Sequence, residues 1–501
     1  AVSHLTNMAK SRNLHIDEQS LRQATQIVAD AVHKAYPHLE RFYEFQERSL
    51  IEGLNALISG QHKVVVLQAR TAGGKTLAFL LPLLTWITAE KISKRAKTKV
   101  GTKSILLYPT TALQNDQAAT LFRILWYINQ VLYYQYGLVV SMGMLHGYTP
   151  KRWGRGSFRQ EIELRLKCPI KGCDGRLKIE WNPVSSVGGL FIENVVCSNP
   201  GCILSKYGDP QSELLQQMVK VSREAIYSDP PDILIANPDI INARLTLAGR
   251  EDPGSLSILG KKVFVCERCG TPHDYARTPR RCKECNYTDL RLLEPSYPTV
   301  LVVDEAHLLR GGFGAQVSHV LTRIEQAIRS LNNLSTEWRP VYFVSSATLN
   351  NPIERARELI ATELQNIVVI SAHALRGAEP TYRVHAFVMP KVYSPEATTA
   401  RILEVIYSNA TAVEQTVIQR LNESLDAARK KIFKNRFPAT LVFVNRIAEA
   451  NELLNHVRNF IPPFIRANGH TTDFREDRVK VEDEFSRGEL ETIVATRGLE
   501  V

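Results

Sequence analysis

Gln68-Ala-Arg-Thr-Ala-Gly-Gly-Lys-Thr76 follows the apolar run Val64-Val-Val-Leu67 and precedes the helix-like Leu77-Ala-Phe-Leu-Leu81. A strand, a loop of small residues and a helix thus come in the order that a phosphate cradle requires. The backbone N–H groups of Thr71, Ala72, Gly73 and Gly74, with the positive end of the following helix, face phosphate oxygens in such a cradle, and the two glycines let the backbone come close. Lys75 is expected to pair with the β- and γ-phosphates, and the Thr76 hydroxyl to hold Mg²⁺. Where the general pattern asks for a first glycine, this sequence has Ala69.

The chain has 501 residues, enough for two to four domains with buried cores. A formal charge of +11 favours a polyanionic partner. No continuous apolar run approaches the ~18–20 residues that cross a bilayer, and no signal-peptide pattern follows Ala1, so a soluble cytoplasmic protein is expected, with no membrane partner. The eight cysteines form four close pairs between positions 168 and 285. That clustering points to metal in a reducing compartment rather than to disulfides.

Ahead of the loop, residues 1–40 are expected to be an accessory helical segment, with Leu21, Ala24, Ile27, Val28, Ala31 and Val32 on one face before Pro37. Gln46 lies 29 residues before Lys75, and its amide is suited to reading adenine N6 and N7. After the loop come a basic connection, Lys91–Lys103, and a strand, Ser104–Tyr108, that delivers Pro109-Thr-Thr-Ala-Leu-Gln-Asn-Asp-Gln117. A further strand around Val139–Leu145 leads to Tyr148–Arg159, where Lys151, Arg152, Arg155 and Arg159 alternate with aromatics, a combination suited to nucleic acid and equally to a solvated helix start. Ile233–Ala236 is another strand, with Asn237 at its exit.

Cys168-x4-Cys173 with Cys197-x4-Cys202, and Cys266-x2-Cys269 with Cys282-x2-Cys285, are expected to close two four-thiolate Zn²⁺ sites. Such closed sites are structural, and an iron–sulfur cluster is the alternative. In Pro298-Thr-Val-Leu-Val-Val-Asp-Glu-Ala-His307 a buried strand ends in Asp304, placed to hold Mg²⁺, and Glu305, placed to orient and deprotonate a water. His307 is expected to couple this site to neighbouring loops. Together with the upstream loop, the pair means phosphoryl transfer. A further strand, Val341–Val344, delivers Ser345-Ser-Ala-Thr348.

Taken in order, Ala69-x4-Gly-Lys-Thr76, Thr111-Ala-Leu-Gln-Asn-Asp-Gln117, Asp-Glu-Ala-His307 and Ser346-Ala-Thr348 resemble superfamily 2 DEAH-box-type helicases. Asn237-Pro-Asp and the Leu-Leu-Arg-Gly-Gly-Phe-Gly314 that follows His307 resemble the MrfA-like DNA repair helicases and related helicases of bacterial phage-defence systems. The resemblance implies an α/β fold of two RecA-like parallel-sheet domains, at 41–375 and, after a linker, at 376–501, with zinc-binding inserts at 166–231 and 248–297 in the first. It implies ATP, Mg²⁺ and DNA, as single strand or duplex–single-strand junction, with 3′–5′ movement and partner subunits of a repair or defence complex. Ser346, Ala347 and Thr348 would couple the sites, and Thr110, Thr111, Asn237 and Thr496 would grip nucleic acid. Thr111 departs from the Arg or Asn common there. The chain stops with Thr492–Val501, read as a core strand and its exit, so a fragment with an incomplete second domain and weak activity alone is expected. An RNA helicase, or a zinc-bearing scaffold that uses ATP as a switch, remain the alternatives. Connectivity further implies that both inserts leave and rejoin at the amino edge of the sheet, the first after a helix-like Ser157–Leu166.

Overall fold

The computed structural model describes residues 16–69, 74–94, 99–151, 162–183, 191–247, 254–277, 279–347, 351–372, 394–406, 409, 440–444, 446–460, 467–470, 478–487, 489–490 and 492–496. The chain divides into two units, Ala1–Ala378 and Glu379–Val501.

Helix α1 (Glu18–Ala35) starts where Asp17 accepts the Ser20 N–H at 2.8 Å, satisfying one of the donors a helix start leaves open. Its Leu21, Ala24, Val28, Ala31 and Val32 are buried as their spacing predicts. They join the same core as the phosphate-loop helix, so this segment belongs to the body of the first unit rather than standing apart as an accessory. α2 (Glu44–Ser59) then leads into β1 (Val64–Gln68).

β1, α3 (Lys75–Lys94), β2 (Ser104–Leu107), α4 (Thr111–Tyr136) and β3 (Met142–Leu145) begin a parallel α/β sheet. Strand β3 is followed by the first cysteine insert, β4 (Ile162–Lys167), β5 (Arg176–Pro183) and β6 (Phe191–Cys197), an antiparallel sheet of its own. The core resumes with α5 (Pro210–Met218), β7 (Val219–Lys220), α6 (Arg223–Ser228), β8 (Ile233–Ala236) and α7 (Pro238–Leu247). The second insert holds β9 (Val263–Cys266), β10 (Pro272–Asp274) and β11 (Leu290–Leu293). Then come β12 (Val300–Val303), α8 (Gly311–Asn332), β13 (Val341–Ser346), α9 (Pro352–Ile360) and β14 (Ile367–Ser371).

Eight of the described strands form one sheet in the order β14-β1-β13-β12-β2-β8-β3-β7. Every pairing in it is parallel. A parallel sheet needs cover on both faces, and the unbroken apolar runs supply it. Val65, Leu67, Leu106 and Val302 face one core with α1 to α4, while Val66, Leu107, Val303 and Val344 face the other with α7, α8 and α9. This is the RecA-like architecture. In the second unit β15 (Thr440–Val444), α10 (Ile447–Phe460), β16 (Ala467–His470), α11 (Arg478–Arg487) and β17 (Thr492–Thr496) give a smaller parallel sheet ordered β15-β17-β16.

Three expectations need correction. The stretch read as helix-like before Cys168 is strand β4 where it is described. The first insert therefore departs from the carboxyl end of β3, and only its return, through α5 into β7, reaches the amino edge. The second insert does leave after α7 and rejoin ahead of β12, beside the Gly101–Ser296 bridge at the amino edge. Thirdly, Lys75–Ser93 is long and apolar enough to cross a membrane, but 78% of that window is buried inside the unit, the mark of a central helix in a parallel α/β core.

Candidate functional site

Val66, Val344, Val303, Leu107, Ala236 and Leu145 lie in one register row across β1, β13, β12, β2, β8 and β3. The residues that follow this row form the carboxyl edge, the edge at which open α/β sheets bind ligands. Because the strand order is not the chain order, motifs far apart in sequence become neighbours there.

On the β1–β13–β12 side, Lys75 opens α3 and Glu305 follows β12, and the Lys75 Nζ lies 3.3 Å from Glu305 Oε1. Lys75 is 7% exposed, so its ammonium finds in the Glu305 carboxylate an anion that stands where phosphate oxygens are expected. Asp304, 2% exposed, is pushed up to about 6 by burial first and by the Glu305 charge second, with the Ser345 hydroxyl and the Glu305 N–H acting against them. The Asp304 carboxylate and the Thr76 hydroxyl are hard oxygen donors of the kind Mg²⁺ takes, so the residues present fit that ion. Glu305 sits at φ 51°, a left-handed conformation that costs a non-glycine residue energy and occurs disproportionately at functional sites. His307 Nδ1 lies 3.1 Å from Glu305 Oε2, and burial pushes its pKa down, so the imidazole is neutral at pH 7. Ser346 is fully buried at the end of β13, with Ala347 half-buried beside it.

Gly74 has φ +77°, and a Cβ there would fall 2.4 Å from Gln46 Nε2. The Gln46 amide donates to Gly74 O at 3.0 Å and accepts from Tyr43 N at 3.0 Å, and the residue is wholly buried. Gln46, expected to read adenine, ties the start of α2 to the phosphate loop in this arrangement. The signal for that role was present in Tyr43-x-x-Gln46, the spacing at which a side chain returns to cap its own helix start. Thr76 is half-buried one residue beyond Lys75. Thr71, Ala72, Gly73 and Thr348 lie outside the described residues.

On the β2–β8–β3 side the edge is set by helix caps. Thr110 caps α4 by accepting Leu113 N at 3.3 Å, with Thr111 as the first helical residue. Asn237 Oδ1 accepts Ile240 N at 2.9 Å at the start of α7. Lys151 is exposed after β3, whereas Arg152 and Arg155 lie outside the described residues. Thr496 ends β17, the central strand of the second unit's sheet.

Both cysteine groups converge, with all four sulfurs of each within 4.8 Å of one another. Cys168–Cys202 and Cys173–Cys197 are 3.6 Å apart, Cys266–Cys285 3.5 Å and Cys269–Cys282 3.4 Å. Four thiolates at about 2.3 Å from a tetrahedral Zn²⁺ stand ~3.8 Å from each other, so both groups fit zinc. Local backbone is shaped for it. Gly270 and Asn286, each just after a Cys-x2-Cys pair, take φ 68° and 59°, and their N–H groups return to Cys266 O and Cys282 O. In the first group Gly175 N and Asn199 N donate to the sulfurs of Cys173 and Cys197, each at 3.4 Å. Beside the Cys269 thiol, buried His273 helps lower the pKa of the Cys282 thiol, an influence that neither spacing nor composition foretold.

Residues 44–144 match the DEAD/DEAH box helicase family. The chain is related to the DEAD/DEAH box helicases. It is 25% identical over 345 residues to the DISARM protein DrmA of Bacillus paralicheniformis, covering 63% of this chain and 29% of that protein. It is 22% identical over 309 residues to the Druantia protein DruE of Escherichia coli, covering 57% of this chain and 15% of that protein. The chain thus spans less than a third of the length of these relatives. Among solved structures, the DUF1998 helicase MrfA bound to DNA matches at TM-score 0.47 and 16% identity, over 94% of this chain and 42% of that one. The Asp-Glu-Ala-His sequence at 304–307 lies beyond the matched span, just after β12, the strand that the sheet places between β13 and β2.

Proposed function

We propose that this DEAD/DEAH-box relative is part of an ATP-dependent DNA helicase or translocase that moves 3′–5′. The observation that carries the reading is the convergence of Lys75, Asp304 and Glu305 at the carboxyl edge, within 3.3 Å for the lysine–glutamate pair. In nucleotide binding Lys75 exchanges the Glu305 carboxylate for phosphate oxygens, and the loop Thr71–Gly74 wraps the phosphates with its N–H groups. Thr76 and Asp304 would hold Mg²⁺, which would supply charge neutralisation for the transferred phosphoryl group. Released from Lys75, Glu305 orients water and takes its proton, while neutral His307 and Ser346–Thr348 link the site to neighbouring loops. Thr110, Thr111, Asn237, Lys151, Arg152, Arg155 and, in the second unit, Thr496 contact the tracked strand.

Preference for DNA and a place in a defence or repair assembly rest on the sequence resemblance and on likeness to the DISARM and Druantia proteins. The test is ATP turnover by the full-length protein with single-stranded DNA or RNA, for wild type and Lys75→Ala. DNA-stimulated turnover that Lys75→Ala abolishes is expected. Turnover indifferent to both polymers refutes the motor, and preferential stimulation by RNA refutes the choice of DNA.

A further inference from the structure

At the β3 and β7 end of the sheet a cleft of about 260 Å³ opens between the first turns of α4, the loop after β3 and the first cysteine insert. Its floor is apolar, with Met144 of β3, Leu166 of β4 and Ile179 of β5, and its walls include Asn115, Tyr148 and Arg165. Among the described residues lining it are two cations, Arg165 and Lys220, of which Lys220 is paired with Asp229. The two sides belong to different parts of the chain. One is the capped start of α4, already in the row of the nucleotide-binding motifs, and the other is the insert.

Both sides are fixed. Arg223 donates to Gly147 O at 2.9 Å and to Thr149 O at 3.1 Å, and its backbone N–H bonds Pro150 O, so the turn that carries Tyr148 is pinned on three carbonyls. Tyr148 itself is 73% exposed. The insert is tied down too, because Gln216 of α5 receives Val195 N at 2.8 Å and donates to Val195 O at 2.7 Å, as another strand would. A held, exposed aromatic ring that lines one cleft with Arg165, over an apolar floor, is a combination that stacks bases and follows phosphates in single strands.

We propose that the first cysteine insert is one wall of a single-stranded nucleic-acid path, with Tyr148 as the stacking platform and Arg165 on the backbone phosphates. The proposal rests on the helicase reading for the identity of the polyanion, and it deepens that reading by giving the insert a share in strand binding. Metal at Cys168, Cys173, Cys197 and Cys202 then serves to hold β4 and β5 at the cleft. Departure of the insert from the carboxyl end of β3 is what makes this possible, since an insert confined to the amino edge does not reach the strand-binding edge.

Fluorescence anisotropy with labelled oligo-dT and oligo-rU, on the full-length protein over a range of salt, tests it. Tyr148→Ala is expected to weaken binding of single strands about fivefold to a hundredfold. Arg165→Glu should weaken it and reduce the log–log salt slope by about one, with Arg165→Lys recovering most of the loss. Zinc content and melting temperature of each variant separate lost contact from lost fold. Should Arg165→Glu lose zinc, Tyr148→Ala, which lies outside the insert, decides alone. Unchanged affinity and slope in folded Tyr148→Ala and Arg165→Glu overturn the proposal while leaving the helicase reading intact. Wild-type protein that binds neither oligomer, and whose ATP turnover neither stimulates, overturns both.

Discussion

Replacing Glu305 by Gln separates binding from chemistry in opposite directions. The Lys75 ammonium is 3.3 Å from one Glu305 oxygen and 3.4 Å from the other. At an effective dielectric of about 20, such a contact is worth roughly 5 kcal/mol in Coulomb energy, most of it cancelled by the desolvation of both groups. A net of ~1 kcal/mol is a reasonable scale for a pair whose side chains are 7% and 19% exposed. Nucleotide has to break that pair, so Glu305→Gln removes a competitor and ATP affinity should rise about fivefold. Turnover should meanwhile fall by about a hundredfold to ten-thousandfold, because Gln cannot take a proton from water. Equilibrium titration with a fluorescent ATP analogue and steady-state phosphate release on the same preparation measure both. Weaker binding would refute the competition argument, and near-wild-type turnover would refute the role of Glu305.

Asp304→Asn tests the buried carboxylate through stability. Because its folded pKa is raised to about 6, the group favours the fold below the unfolded carboxylate pKa near 4, and that contribution is lost as pH rises through about 6. Without nucleotide or Mg²⁺, Asp304→Asn should therefore be more stable than wild type at pH 8, by up to ~3 kcal/mol, with the difference closing toward pH 4. Chemical denaturation at each pH reads this, and equal stability throughout would deny that Asp304 is under strain. For the metal centres, purified protein should carry two zinc ions, and Cys168→Ser and Cys269→Ser should each lower the zinc content by about one. Elemental analysis checks it, and iron in place of zinc, or stoichiometry untouched by either change, rejects the assignment.

What was legible in the sequence is what short-range chemistry encodes. β1, β2, β8, β12 and β13 fell on unbroken apolar runs, because strands buried on both faces leave no place for polar alternation. Lys75 and Asp304–Glu305 stood out since each follows such a run. The cysteine pairs announced themselves by spacing. Less legible was whatever depends on a partner distant in sequence. Gln46 looked like a free amide at a suggestive distance, yet its contact with Gly74 depends on how α2 packs against α3. β4 was misread because Leu164 and Leu166 alternate with charged neighbours in a segment too short for period to discriminate helix from strand, and they are buried against the core that includes α4. That one misreading put the insert's departure at the amino edge, whereas it leaves from the carboxyl end of β3.

The sheet order also constrains how the two halves of the edge communicate. Asp304 N donates to Leu107 O at 3.2 Å and Tyr108 N to Ala236 O at 3.0 Å, so the ends of β12, β2 and β8 are joined by backbone hydrogen bonds right up to the loops. Tyr108 is buried directly in this run, its phenol pushed well up by burial and by the charge of Asp304. A ladder closed this far is a poor place for movement, since opening it strands backbone donors in a dry core. Movement linked to nucleotide therefore belongs to the residues just beyond the ladder. Glu305 is already there in a costly left-handed conformation, and Thr110 and Asn237 hold helix starts through single side-chain bonds of 3.3 and 2.9 Å. The strands hold the spacing of the motifs constant, and the caps and the strained turn are where an exchange of Lys75 from carboxylate to phosphate can be felt.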